Sequence, residues 1–308
     1  MSLILQESLR AVFYAPYYAA LALGAYAEEG VEVVFQSARK PDLAARALLE
    51  GSVHVSWGGP MRVNQTYALH AGCDLQCFCE VVTRDPFLLV GRKPRPEFTL
   101  RDLLQVRLAT VSEVPTPWLC LQEDLRCEGL NPAAVQRVTG RSMAENSAAL
   151  GRGEVDVVQV FEPYVEELVA SGTGHVWYAA ASRGATSYTT FYARKPLIAA
   201  RRPECLAMVR AVQRTLKWVH AANPVRFAEA IATYFPSIDK PTLAACLARY
   251  KRLGIWGQDC RTPEAGYERL VRSLASGGFL PSGVPFTIAV DNSIANEVLR
   301  ADPPALVR

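Results

Sequence analysis

Apolar residues along this chain fall into two alternating kinds of segment. Short runs rich in Val, Leu, Phe and Cys predict strands, and longer Ala- and Leu-rich stretches at helical spacing predict helices. LRAVFY (9–14) reads as the first strand. Pro16 then opens PYYAALALGAYAEEG, a helix that Gly30 stops. VEVVFQ (31–36) is a strand, PDLAARALLEG (41–51) a helix with Asp42 in its first turn, VHVSWG (53–58) a strand, and 61–71 a helix. LQCFCEVV (75–82) and FLLVGR (87–92) follow as strands.

KPRPE (93–97) interrupts the pattern with two prolines and three charges, as a linker does. A second series then begins. FTLRDLLQ is a short helix, VRLATVS (106–112) a strand, WLCLQEDLRCEG a helix after a proline-rich turn, and VQRVTG a strand. SMAENSAALGRG (142–153) is a helix capped by Ser142, VDVVQVF (155–161) a strand, and EPYVEELVASG (162–172) a helix. HVWYAAA and SYTTFYARK (187–195) are strand-like, and after Pro196 the pattern is helical to the end.

Strands alternating with helices imply an α/β protein with mainly parallel sheets and flanking helices. The expected architecture has two lobes. Lobe one comprises 1–92 and 188–308, including a helical C-terminal part, and lobe two comprises 93–187. The hinge is expected near 90–96, with the chain crossing back near 186–192. Ligands of open α/β sheets sit beyond the carboxyl ends of the strands, so two facing lobes make an interdomain cleft that closes on a small molecule.

Charge removes some classes of function. The chain has 33 Lys and Arg against 30 Asp and Glu, a net charge of +3 spread along its length. The densest basic spots, RKPR (92–95) and RR (201–202), are short and lack an aromatic ladder, so nucleic acid is not the expected partner. No apolar run reaches the ~18 residues of a membrane span, so no membrane insertion is expected. The start shows no export signal. The chain as it stands is therefore expected in the cytoplasm, or in the periplasm if a signal has been removed, and as a monomer. The eight cysteines are unevenly spaced, which favours free buried thiols over a disulfide framework. Three of them crowd into CDLQCFC (73–79). Strand alternation puts Cys77 and Cys79 on one face, with Phe78 and Glu80 on the other. No fourth ligand completes a zinc pattern, the four histidines show no ligand spacing, and no phosphate-binding loop or nucleophile elbow appears. No catalytic residue, metal or cofactor is expected.

The order of segments resembles a known family. YAPYYAALALGAYAEEGVEV, LARALLEGSVHVSWGGP, FTLRDLLQVRLATV, GEVDVVQVFEPYVEELVASG and ARKPLIAARRPECLAMVRAVQRTLKWVHAANP are similar, in that order, to segments of the NMT1/THI5-like solute-binding proteins. The resemblance covers roughly residues 8–240. It implies a two-lobed type 2 periplasmic-binding-protein fold. It also implies the substrate-binding role in an ABC importer for pyrimidines and thiamine precursors, sulfonates, nitrate or aromatic acids, with an ABC permease as partner. The same superfamily includes the pyrimidine synthase of thiamine biosynthesis, which consumes a histidine and pyridoxal phosphate held by a lysine. In SWGGPMRV, Gly58 stands where the resemblance would put that lysine and Arg62 where it would put the histidine. The synthase's cysteine-rich segment is matched here by SRGATSYTTFY, which has no cysteine. These departures argue against the synthase; a cytoplasmic enzyme or ligand sensor on the same fold remains the alternative.

The candidate ligand contacts follow the turns that would face the cleft. Tyr14, Tyr17 and Tyr18 bracket the turn after the first strand, where a ring can stack on a flat ligand. Gly58 and Gly59 form a tight turn into a helix whose free N–H groups suit an anion or carbonyl. Arg62 and Asn64 lie in that helix's first turns, and arginine pairs bidentately with carboxylate, sulfonate or phosphate. Arg84 and Asp85 lie near the expected hinge. Ser112, Thr116 and Trp118 belong to the turn after lobe two's first strand. Glu162 and Tyr164 open a later helix, where Glu162 either caps the N-terminus or accepts from a heterocycle's amino group. Ser187 and Tyr188 begin the return strand.

Overall fold

The structure is a computed structural model that describes residues 2–38 and 43–307. Asp42, expected in a helix's first turn, lies outside the described residues. The first lobe starts with β1 (Leu3–Glu7), α1 (Ala15–Ala22), α2 (Ala25–Glu28), β2 (Val33–Ser37), α3 (Leu43–Leu49), β3 (Val55–Gly58), α4 (Pro60–Leu69) and β4 (Leu75–Val82). The second lobe holds β5 (Leu88–Gly91), β6 (Arg107–Ala109), α5 (Thr116–Cys127), β7 (Gln136–Val138), α6 (Met143–Gly151), β8 (Val157–Val160), α7 (Tyr164–Ala170) and β9 (His175–Ala179). The chain returns through β10 (Thr189–Arg194) and α8 (Lys195–Ala200). It ends in α9 (Arg202–Ala221), α10 (Pro224–Ile231), α11 (Lys240–Leu253), α12 (Glu264–Ser276), α13 (Phe286–Ala289) and α14 (Ser293–Ala301).

Two five-stranded sheets result, ordered β2-β1-β3-β10-β4 and β7-β6-β8-β5-β9. In each, β-α-β connections give parallel pairs, β1 with β2 and β3, and β6 with β7 and β8. The strands next to the crossings are antiparallel: β10 lies between β3 and β4, and β5 between β8 and β9.

Two expectations shift. The first strand is LILQE at Leu3–Glu7, not 9–14; Val12–Tyr14 is a 3-10 turn that leads into α1. The run LRAVFY is apolar enough for a strand, but β1 pairs with β2 from Leu3 onward, which leaves 9–14 beyond the sheet edge. The lobe boundary also moves. β5 pairs with β8 and β9, so the chain crosses at 83–87 and not at the proline-rich linker after residue 92. The return crossing runs through 180–188. The two crossings are bonded to each other: Thr186 N–H donates to the Thr83 carbonyl at 2.8 Å and Tyr188 N–H to the Val82 carbonyl at 2.9 Å.

The alternation expected for CDLQCFC also fails, for a stated geometric reason. Tyr192 is paired with Cys77 but Phe191 with Cys79, so one residue of β10 is spanned by two on β4. This bulge turns Phe78 and Cys79 to the same side, into the large core with Tyr17 and Tyr26. Cys77 packs on the opposite side with Tyr192, Tyr267 and Val290. Cys77 and Cys79 are both buried and unbridged, as the packing reading had it.

The C-terminal helices do more than cover lobe one. α9 packs on α1, α2 and α14, whereas α11 reaches α7 and α12 lies against both α4 and α5. Met61 of α4, Leu119 and Cys120 of α5, and Leu270 and Leu274 of α12 form one apolar cluster between the lobes. Elsewhere local chemistry follows the sequence. Ser142 and Glu145 form the capping box of α6, with Ser142 Oγ accepting from Glu145 N–H at 3.2 Å and the Glu145 carboxylate accepting from Ser142 N–H at 2.7 Å. Ser142→Ala is expected to cost about 1 kcal/mol in urea unfolding. A change below ~0.3 kcal/mol would mean the cap is dispensable.

Candidate functional site

The cleft between the lobes has an inner and an outer compartment. The inner one is a partly open pocket of about 540 Å³, the space it shares with solvent included. Lobe one supplies Ser8 and Tyr14 from the segment after β1, and Gly58, Gly59 and Arg62 from the β3–α4 junction. Lobe two supplies Val114 and Thr116 at the start of α5; Ser187, Tyr188 and Tyr192 come from the return crossing and β10, and Leu270 from α12. Ser8 and Gly58 stand at the carboxyl ends of parallel strands and Gly59 and Thr116 at the starts of helices, where such sheets bind ligands.

Close approach explains the glycines. A Cβ on Gly58 would stand 3.2 Å from Ser8 Oγ and 3.3 Å from the Tyr192 ring and hydroxyl, and one on Gly59 3.2 Å from the Tyr188 carbonyl oxygen. Neither α4 nor α5 has a side-chain cap, and both carry proline in the first turn. Their positive ends therefore meet the cavity, one from each lobe. The Tyr188 and Tyr192 hydroxyls are buried without a hydrogen-bond partner. Ser56 lies beside the second but donates to the Gln6 carbonyl at 2.9 Å. Buried hydroxyls are normally paired, and these two, both on residues that line the cavity, are not. Tyr14 Oη lies 3.5 Å from Ser8 Oγ. Burial pushes all three tyrosines up, so they remain protonated donors around neutrality.

The outer compartment is larger, about 1240 Å³, and joins the inner one along Leu9 and Val114. Phe161, Tyr164, Met143 and Phe235 give it an apolar lining, and Arg10, Glu113, Glu162 and Glu167 add charged side chains to its wall. Arg10 is already engaged: its guanidinium holds the Glu7 carboxylate at 2.6–3.1 Å and donates to the Tyr234 carbonyl at 2.8 Å.

Of the residues expected in the site, Tyr14, Gly58, Gly59, Arg62, Thr116, Ser187 and Tyr188 meet in the inner compartment, and Glu162 and Tyr164 border the outer one. The others do not join them. Tyr17 stacks on Trp57 at 4.8 Å, and Tyr18 donates to Glu7. Both lie on the side of α1 that packs into the core. Asn64 donates to the Pro60 carbonyl and Tyr267 hydroxyl and accepts from Val284 N–H, so its amide is spent within lobe one. Asp85 is buried against Arg183, while Arg84 is exposed. Ser112 is exposed, its N–H donating to Glu113 at 3.1 Å, and Trp118 packs in lobe two beneath Arg137 at 4.6 Å. The Glu162 carboxylate pairs with Arg249 and accepts from Glu166 N–H, which leaves it little to offer a heterocycle. Ser8, Tyr192 and Leu270 were not expected. Leu270 comes from a helix far along the chain, and Tyr192 reads as one alternating position in a strand. Among the described residues, no group of His, Cys, Asp and Glu is arranged to hold a metal, and no helix is long and apolar enough to cross a membrane.

Two facing α/β lobes, joined by two chain crossings and flanking a hydroxyl-lined cleft, define the architecture of a type 2 periplasmic-binding-protein-like solute-binding protein. The comparisons bear this out, and they settle the family: the NMT1/THI5-like model matches residues 13–226, more than half of the chain, so the chain belongs to that family. The Bacillus subtilis (strain 168) protein YtlA, whose name describes it as a binding protein, is 24% identical over 297 residues, covering 95% of this chain and 88% of YtlA. The periplasmic sulfonate-binding protein SsuA of Methylobacillus flagellatus KT superposes with a TM-score of 0.75 at 15% identity, over 100% of this chain and 98% of SsuA. The desulfurization enzyme DSZB has the same fold, with a TM-score of 0.68 at 15% identity over 98% of this chain and 100% of its own. The relatives are mostly binding proteins, and a binding-protein function is supported; the shared fold also serves an enzyme.

Proposed function

We propose that this chain is the substrate-binding component of an ABC importer and takes a small solute with an oxyanion head, a sulfonate or carboxylate, in the inner compartment. The carrying observation is the lining itself. Arg62 is the one charged side chain among the described residues that wall this compartment, and every other polar side chain there is a hydroxyl. Two open tyrosine hydroxyls and two helix N-termini supply hydrogen bonds and positive potential for an anion. A neutral pyrimidine needs an acceptor such as a carboxylate opposite its amino group. Glu162, the residue suited to that, is held by Arg249. Closure of the lobes then presents the surface that a permease reads.

Thermal-shift titration with methanesulfonate, benzoate and a neutral pyrimidine tests this. An anion at ~100 times its dissociation constant adds ~2.7 kcal/mol of stability and raises Tm. Tyr192→Phe should weaken anion binding by about tenfold or more, the loss of a hydrogen bond to a charged group. Stabilisation by the pyrimidine alone would refute the anion reading.

A further inference from the structure

Glu80 lies just past the β4 bulge, fully buried, with its carboxylate bonded to the Ser187 hydroxyl. Ser187 in turn lines the inner compartment. Glu80 itself does not line the cavity, so it touches the ligand site only through this serine. The other carboxylate oxygen has no hydrogen-bond partner; the Thr262 hydroxyl lies beside it without completing one. Among the described residues, no arginine or lysine pairs with Glu80. The titratable groups whose fields reach it are Asp259 from the segment before α12, Cys77 and Cys79 on its own strand, and Tyr17 from α1. Asp259 adds repulsion, and its charge is shared with Arg261 at 2.6 Å. A carboxylate that is buried, uncompensated and half-bonded is costly as an anion and acceptable as a neutral acid.

The consequence is a choice of proton direction. When Glu80 is a neutral acid, its O–H can donate to Ser187 Oγ, and the serine proton is free to point into the cavity. When Glu80 is an anion it can only accept, so Ser187 must donate to it and shows the cavity lone pairs alone. We infer that Glu80 is a positioning residue which, through Ser187, sets whether the inner compartment offers a donor to its ligand, and so sets its preference for anions. This rests on the oxyanion reading above and extends it to a residue outside the pocket wall. Burial raises the Glu80 carboxyl to about 8, so the donor form prevails at neutral pH and the acceptor form above it. The tyrosines around the cavity stay protonated over the same range.

Isothermal titration with methanesulfonate from pH 6 to 9.5 tests the inference, because this probe does not itself titrate there. The wild-type affinity should fall by about tenfold between pH 6 and 9, the drop expected when the protonated form of one group near 8 is required. Glu80→Gln carries no titrating proton, and its affinity should be flat with pH. Ser187→Ala keeps Glu80 but removes the relay, and should also be flat, so it decides the matter if the glutamine variant folds poorly. A wild-type affinity independent of pH, or an unchanged slope in either folded variant, overturns the role of Glu80 while leaving the anion site standing. No binding of methanesulfonate or benzoate at pH 6 overturns the anion site and this inference together.

Discussion

Replacing Arg183 with alanine is expected to destabilise the protein by about 3–5 kcal/mol at neutral pH. Arg183 lies on the return crossing with its side chain 4% exposed, and Asp85 on the outgoing crossing is 0% exposed. One guanidinium donates to Asp85 at 2.5 Å and, through Nε, to both oxygens of Asp124 on α5 at 3.0 and 2.9 Å. Burial pushes the Asp85 carboxyl up, and its pairing with Arg183 is the main effect that opposes this. Without the arginine, Asp85 would be a buried, unpaired charge, which it relieves by taking up a proton. The penalty should therefore be largest near pH 7 and shrink in acid, as Asp85 takes up a proton. Urea unfolding at pH 7 and pH 4.5 measures both limits. A triple change, Arg183→Met with Asp85→Asn and Asp124→Asn, removes the charges together and should recover most of the loss, because apolar or neutral replacements of buried ion pairs are often tolerated. A loss under ~1 kcal/mol for Arg183→Ala would show that this pairing contributes little.

Trp57→Ala is the second large expected effect, about 3–5 kcal/mol. The Trp57 ring is fully buried, stacked between Tyr17 at 4.8 Å and Phe35 at 5.3 Å, with Tyr18 edge-on at 5.5 Å. Alanine would leave a cavity walled by three rigid rings that cannot collapse into it. The indole N–H has no partner, so Trp57→Phe loses area but no hydrogen bond, and should cost only about 1–2 kcal/mol. The peptide after Trp57 is the Gly58 wall of the inner compartment, so Trp57→Ala should also weaken ligand binding. Denaturant titration of both variants checks the ordering, and equal costs would point to strain and not cavity formation.

The sequence patterns located most of the elements because each βαβ step is a local signal: apolar run, glycine or proline stop, amphipathic helix. LQCFCEVV coincides with β4 residue for residue. What was not legible depends on pairing across long stretches of chain. Nothing within FLLVGR says which sheet it joins; that is decided by its antiparallel fit to β8, so the proline-rich stretch after β5 reads as the crossing although the chain crosses before it. The bulge at Phe78 is likewise a property of the β4–β10 register, and it overturned an alternation argument that is sound for a regular strand. For the site, turns after strands were a good guide to Tyr14, Gly58 and Ser187, whose backbones sit at the sheet ends. The pattern failed for Tyr17 and Tyr18, because Tyr14 ends the 3-10 turn at the cavity while they lie about one helical turn further along, in α1, where their rings meet Trp57 and Glu7. Leu270 was beyond reach, since only the packing of α12 between α4 and α5 brings it to the cleft.

The hydrogen bonds that join residues 82–83 to residues 186 and 188 have a mechanical consequence. Two peptide segments fastened edge to edge form a strap of two plies. Lobe movement at this place would bend both plies together, so the two crossings would act as one hinge and not as two independent tethers. Ser187 and Tyr188 belong to that strap, which ties this wall of the pocket to the hinge itself.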